Sequence, residues 1–396
     1  MFRNALIIGL GLMGGSVALA LKQKKLAESI SGYDIVEAMM DKALRSAMIH
    51  KKAGDLTAAV ADADLVVVCS HLAAYKEIGN AISRFPKADA VITDVGSVKA
   101  PAFLLASFLT SEQKHNFVSS HPVAGSENSG ISGARADLFE RRKVIITPLS
   151  NTKPRTVQAV AKMWKELGGE TEVMVAEAHD AIYAGVSHVP QFLSWCYADF
   201  LSRVGKLIEN PEENFTRFTR IAASNPALWQ DIFLANNKNI SSVIADFYLN
   251  FSNIMREVES PQKAELQERF ARAINDRKAL KDEYSGYRET PWAAADFDAT
   301  VMVPRVIALA LLEVTADMKY AGPGFLDFSR QIISDPERTS GYLVGKRREI
   351  LPLLQDFFDC MDNFYKIVER NTKPDILLKM AESRNNYLKC VGKNPL

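Results

Sequence analysis

Short, nearly unbroken apolar runs separated by polar turns dominate the first 175 or so residues: Ala5-Leu6-Ile7-Ile8, Leu65-Val66-Val67-Val68-Cys69, Ala90-Val91-Ile92-Thr93, Asn116-Phe117-Val118-Ser119 and Val144-Ile145-Ile146-Thr147. Such runs are too short for core helices and apolar at odd and even positions alike. They predict strands covered on both faces, the habit of a doubly wound parallel sheet. Residues 29–34 read as a further strand and 172–175 as the last one, after a helix over 154–167 that Gly168-Gly169 stops. Beyond about residue 176 the strand rhythm disappears and helical periodicity runs to the end. The pattern therefore predicts an α/β domain over 1–176 followed by an all-α region.

The turn after the first run is Gly9-Leu10-Gly11-Leu12-Met13-Gly14, and a helical stretch follows it. In a Rossmann-type unit the first glycine permits the tight turn, the second lets a pyrophosphate approach the backbone, and the third lets helix and strand pack. Asp34 ends the second strand about twenty residues past the glycines, where a carboxylate can accept both ribose hydroxyls and repels a 2′-phosphate. That selects NAD over NADP, although an acid at a strand end also suits a helix cap. Gly9, Gly11, Leu12, Met13, Gly14, Asp34 and, after the third run, Ser70 and His71 are the expected cofactor contacts. Ligands in such sheets sit beyond the strands' carboxyl ends. Three loops there, beginning at Ser70, Asp94 and Ser119, are expected to converge on one crevice. The third, Ser119 to Gly130, carries more functional groups than a turn requires and is taken as the chemical centre.

Composition narrows the partners. Lys and Arg number 48 against 47 Asp and Glu, interleaved along the chain, so a small polar substrate is expected rather than nucleic acid or a membrane. The start of the chain has no signal-peptide pattern, which predicts a cytoplasmic protein. Cys69, Cys196, Cys360 and Cys390 lie far apart with no Cys-x-x-Cys spacing. Reduced thiols are expected, and neither a disulfide framework nor a metal site. His179 and His188 flank a stretch leading to a mid-helix Pro190. Each histidine alone reads more readily as a satisfied core residue than as a substrate contact.

Taken together, Gly9-x-Gly11-x-x-Gly14, Gly96-Ser97-Val98-Lys99, Ser120-His121-Pro122-x-Ala124-Gly125-Ser126-Glu127-x-Ser129-Gly130, His179-Asp180, Ser187-His188-x-Pro190, Phe218-Thr219-Arg220-Ile221-Ala222 and Trp229-x-Asp231-Ile232 resemble the prephenate dehydrogenases over roughly residues 5–280. The resemblance implies NAD-dependent oxidative decarboxylation of prephenate, or of its amino analogue arogenate, on the route to tyrosine. It makes His121 the acceptor for the substrate hydroxyl. Ser97 becomes the support for substrate and nicotinamide, and Arg220 the carboxylate anchor. Ser126, Glu127, His179, Asp180, His188, Gln191 and Trp229 fall around the substrate. An imidazole acceptor must be unprotonated, and a planar guanidinium suits a carboxylate. Many members carry His-x-Pro-His where this chain has Gln191, which leaves prephenate against arogenate open. Lys99 reads either as a neutraliser of a cofactor or substrate carboxylate or as a solvated lysine opening the next helix. A non-catalytic NAD-binding regulator on the same scaffold is the alternative reading, discriminated by replacing His121.

One feature lies outside the resemblance. At a constant offset of 110, residues 215–275 match 325–385 without a gap, among others Phe215/Phe325, Arg220/Arg330, Pro226/Pro336, Ile240/Ile350, Phe247/Phe357, Glu259/Glu369 and Asn275/Asn385. The identities come at roughly three times the rate that composition alone gives. Val189-Pro190 finds a weaker echo in Val303-Pro304, Met302 then standing opposite His188, Arg305 opposite Gln191 and Thr339 opposite Trp229. This predicts a helical domain over 177–290 followed by a degenerate second copy over 291–396. Arg330 becomes a second candidate anchor, and two partner states follow: a homodimer, as in the family, or a monomer whose second copy stands in for the partner.

Overall fold

A computed structural model describes residues 2–392 apart from 85–86, 88, 126–129, 205–218, 281–298, 333–334 and 371. Two compact units emerge, Met1–Asp180 and Ala181–Leu396.

In the first, an eight-stranded sheet is built among the described residues from β1 (Phe2–Ile8), β2 (Ala27–Tyr33), β3 (Lys51–Lys52), β4 (Leu65–Val68), β5 (Val91–Asp94), β6 (Phe117–Pro122), β7 (Lys143–Pro148) and β8 (Glu170–Val173), in the spatial order β3-β2-β1-β4-β5-β6-β7-β8. The order reverses between β1 and β4, which creates the switch point where such sheets bind ligands. Helices α1 (Leu12–Gln23), α2 (Glu37–Arg45), α3 (Leu56–Asp62), α4 (Tyr75–Arg84), α5 (Ala100–Ser107), α6 (Ser111–His115) and α7 (Pro154–Glu166) connect the strands. Separate apolar clusters, one holding Ile7, Val67 and Trp164 and the other Leu6, Val66 and Phe117, draw on alternate residues of the same strands. The central strands are therefore covered on both faces, as their unbroken apolar runs require.

The strands from β1 to β6 pair parallel, but β7 pairs antiparallel to β6 through Val118–Pro148 to Pro122–Val144. Apolar continuity reports burial on two faces and carries no direction, so the expectation of parallel pairing fails at this strand. The two-residue β3 gave no pattern to read, and β8 lies two residues earlier than expected.

The second unit is helical wherever it is described. Beginning within α8 (Ala176–Tyr183), the chain passes through a π-helical segment, Ala184–His188, into α9 (Val189–Arg203). Pro190 has no N–H to return to the carbonyl four residues back, which accounts for the widened turn before it. After a short 3₁₀ turn at Arg220–Ala223 come α10 (Pro226–Ala235), α11 (Asn237–Glu259) and α12 (Ala264–Ala279), then α13 (Ala299–Val314), α14 (Pro323–Ser329), α15 (Pro336–Gly345), α16 (Arg347–Arg370) and α17 (Lys373–Cys390). Among the described residues no helix is long and apolar enough to cross a membrane.

Candidate active site

The glycine loop occupies the switch point. Gly9 has φ +92°, and a Cβ there would come within 2.6 Å of the Cys69 carbonyl oxygen at the end of β4. A Cβ on Gly14 would lie 1.8 Å from the Gly9 oxygen, so both positions need glycine for backbone approach. At Gly11 a Cβ would meet nothing within 4 Å. The chain itself does not demand glycine there, whereas a pyrophosphate lying against the backbone does. Gly11 also caps α1, whose first N–H groups, on Leu12, Met13 and Gly14, face out at the positive end of the helix. Asp34 accepts the Leu10 N–H at 2.8 Å through Oδ2 and the Val36 N–H at 2.9 Å through Oδ1. Each carboxylate oxygen retains a second lone pair for a ribose hydroxyl. These residues fit a dinucleotide. Ser70, half-buried, and His71, exposed, follow β4 beside Gly9.

His121 lies near the end of β6, 8% exposed. Its Nδ1 is 2.8 Å from Nε2 of the fully buried His179, whose Nδ1 is 2.8 Å from Asp180 Oδ1. Asp180 also accepts the Lys99 N–H at 2.8 Å and the Ala100 N–H at 2.9 Å, which satisfies the start of α5. The direction of this chain follows from its last member. An acceptor-only carboxylate fixes the proton on His179 Nδ1, and His179 Nε2 in turn accepts from His121 Nδ1–H. In the neutral pair, His121 Nε2 is the nitrogen that carries no proton.

Lys99 overturns both expectations for it. It is fully buried, donating to Ser119 Oγ at 2.8 Å and the Ser120 carbonyl at 2.7 Å, with Asp94 at 3.5 Å. It fastens the end of β5 to β6. Burial lowers its pKa from 10.5, against the opposing pull of Asp94 and Asp180. The wholly buried Asp94, which the sequence marks only as the start of a crevice loop, accepts from Tyr75 Oη at 2.8 Å, the Gly96 N–H at 3.0 Å and the Ser120 N–H at 3.3 Å, and is also bonded to the Ser119 hydroxyl. An acid closing an apolar strand was the available signal. Ser97 is half-buried in the loop that this network holds. Ser126 and Glu127 lie outside the described residues.

In the helical unit the buried His188 closes the π segment. Its Nδ1 lies 3.1 Å from Asn236 Nδ2, and its ring meets Trp229 edge-on at 6.0 Å between centroids. Gln191, equally buried, donates from Nε2 to the Ile221 carbonyl at 2.8 Å. Trp195 Nε1 donates to the Ala222 carbonyl at 3.1 Å, so α9 holds the two middle residues of the Arg220–Ala223 turn. Arg220 Nε donates to Asp327 Oδ2 at 2.7 Å, and Arg330 donates from a terminal nitrogen to Asp327 Oδ1 at 2.9 Å. One carboxylate thus joins the two candidate anchors. The Arg220 side chain is 33% exposed and that of Arg330 3%, which makes Arg220 the accessible one.

A switch-point glycine loop, a strand-end aspartate and an oriented imidazole define an NAD-dependent oxidoreductase of the Rossmann class. Residues 17–173 match the family model "Prephenate dehydrogenase, nucleotide-binding domain" and residues 175–272 match "Prephenate dehydrogenase, dimerization domain". The cyclohexadienyl dehydrogenase of Zymomonas mobilis is 33% identical over 288 residues, 72% of this chain and 98% of that protein. The prephenate dehydrogenase of Bacillus subtilis is 29% identical, over 69% of this chain and 75% of its own. Among solved structures, prephenate dehydrogenase from A. aeolicus, in complex with hydroxyphenyl propionate and NAD+, matches 70% of this chain and 98% of its own, with TM-score 0.64 and 32% identity. The chain belongs to the prephenate dehydrogenase family.

Proposed function

We propose that the protein oxidatively decarboxylates prephenate, or the amino analogue arogenate, with His121 accepting the substrate hydroxyl proton and Arg220 anchoring a substrate carboxylate. The observation that carries this reading is the Asp180–His179–His121 chain, which presents the unprotonated Nε2 of His121 as the acceptor. Bound NAD supplies the hydride acceptor for the carbinol carbon. Loss of hydride makes the substrate a vinylogous β-keto acid, whose carboxylate leaves as carbon dioxide while the ring aromatises. The protein's task is therefore confined to drawing one proton and holding one geometry.

His121 takes the hydroxyl proton at Nε2 as the C–O bond gains double-bond character. Its Nδ1–H, already given to His179, keeps the ring from turning or presenting the wrong tautomer. The imidazolium that results is stabilised by the Asp180 charge through His179. Ser97 sits in a loop held on one side by Asp94 and on the other by the Lys99–Asp180 contact, so its hydroxyl can orient the reacting carbon without reorganisation. The Arg220 guanidinium offers a planar fork to a carboxylate.

The test follows NADH formation with prephenate and with arogenate, each in NAD and in NADP, for the parent chain and for His121→Asn. Turnover with NAD is expected on at least one of the two substrates. The substitution should lower kcat by about 10²–10⁴ with KM changed only a few-fold. Substrate-independent absorbance changes, or a variant that turns over normally, would sink the assignment.

A further inference from the structure

The family models end at residue 272, yet the chain continues through a further set of helices. These repeat the preceding ones. α15 begins and ends 110 residues after α10, and α16 begins 110 residues after α11. The buried positions of α11 are Ile240, Ile244, Phe247, Phe251, Ile254 and Val258. Each recurs as a buried position of α16 at the same offset: Ile350, Leu354, Phe357, Met361, Phe364 and Val368. Leu266 and Phe270 of α12 recur likewise as Ile376 and Met380 of α17. Amphipathic helices of similar composition share a period, but they have no reason to share order, starting points and the phase of all six buried positions of α11.

The packing between the two sets is reciprocal. α9 lies on α16 and α17, and α13, its counterpart, lies on α11 and α12. α10 meets α17 as α15 meets α12. Individual pairs follow the same exchange. Lys379 reaches Asp199 at 2.6 Å, and Arg269, 110 residues before Lys379, reaches Glu313 at 2.7 Å, 114 residues after Asp199, the offset of the Val-Pro echo. Lys373 pairs with Asp231 of α10, and its counterpart Lys263 pairs with Glu337 of α15, one turn before the position equivalent to Asp231. Tyr248 and Phe358, equivalent at 110, face each other with ring centroids 5.0 Å apart. Residue i meeting j′ while j meets i′, with one position meeting its own equivalent, is the signature of an isologous two-fold interface.

We propose that residues 299–392 are a second copy of the helical domain, packed on the first about a pseudo-two-fold axis so that one chain supplies in cis the face of a partner subunit, and that this copy contributes Asp327 as a positioning residue for Arg220. The second copy has lost residues that match the substrate side of the first. Met302 and Thr339 replace His188 and Trp229, and Arg330 is buried on Asp327. The positioning role of Asp327 rests on the reading of Arg220 as anchor, whereas the pseudo-dimer does not.

Two measurements on the full chain test it. In the first, Lys263→Cys with Glu337→Cys, an exposed pair now 3.6 Å apart, is treated with a short bis-maleimide and weighed by light scattering over a range of dilutions. A particle of one chain mass, 43.8 kDa, with a 263–337 link inside single chains, is expected. A link found only between chains, or no link, overturns the cis copy. In the second, Asp327→Asn should raise KM about tenfold with kcat within about twofold, and Asp327→Glu should recover most of the loss. An unchanged KM in Asp327→Asn, with KM raised in Arg220→Gln, overturns the positioning role. If Arg220→Gln itself leaves KM unchanged while the intramolecular link persists, the anchor reading falls and the pseudo-dimer stands.

Discussion

At the scale of single residues the site depends on buried charge that the sequence displays only as ordinary letters. Lys99 reads as the opening of a helix, and only the fold shows that it has no solvent at all and is balanced by Asp94. Lys99→Met leaves that carboxylate buried without its cation, so a loss of about 3–5 kcal/mol in denaturant unfolding is expected. The pH dependence has a definite sign. With the folded-state pKa lowered below 10.5, the unfolded chain binds the lysine proton more tightly, and stability attributable to this group rises as pH climbs from the lowered value toward 10.5. Comparing the parent and Lys99→Met between neutral and alkaline pH should show that rise in the parent alone. His121, by contrast, was legible from its motif, but its tautomer was not, because the orienting His179 and Asp180 stand 58 and 59 positions away and only chain folding brings the three together.

At the scale of elements, the turn from β1 to α1 separates two demands on glycine. Gly14→Ala must displace the Gly9 backbone, so the variant should unfold at lower denaturant or fail to accumulate. Gly11→Ala has room and should keep parental stability while NAD affinity falls at least tenfold, as read by titration of the cofactor. Equal stability loss in both would mean that Gly11 serves the fold rather than the cofactor. This turn and strands β1, β2, β4, β5 and β6 were readable in advance because burial on two faces and glycine spacing are both local signals. The antiparallel β7 and the π segment before Pro190 were not, since strand direction depends on the path of the connection and the π turn on where the released carbonyl goes. Asn236 and Asp327 escaped for a related reason, as each matters through a neighbour far along the chain.

For the whole molecule, the repeated helices change what the apolar surface of α11 is for. If α16 covers it within the same chain, a version ending at residue 280 exposes Phe247 and Phe251 and should associate, forming dimers or larger species in light scattering where the full chain is monomeric. A monomeric truncated chain would argue that the last hundred residues protect nothing. On the proposal of a second copy in cis, carrying both halves of the interface on one polypeptide would also lift a constraint that symmetry imposes. In a homodimer every substitution appears twice, so a position near the axis must suit both sides at once. Here Asp327 stands where the first copy has Arg217. A single acid facing two arginines, Arg220 and Arg330, is an arrangement that two identical subunits could adopt only by placing the same residue on both sides. Under that proposal, separate encoding would let one half drift into a support while the other keeps the chemistry, so the two copies would be free to accumulate different substitutions.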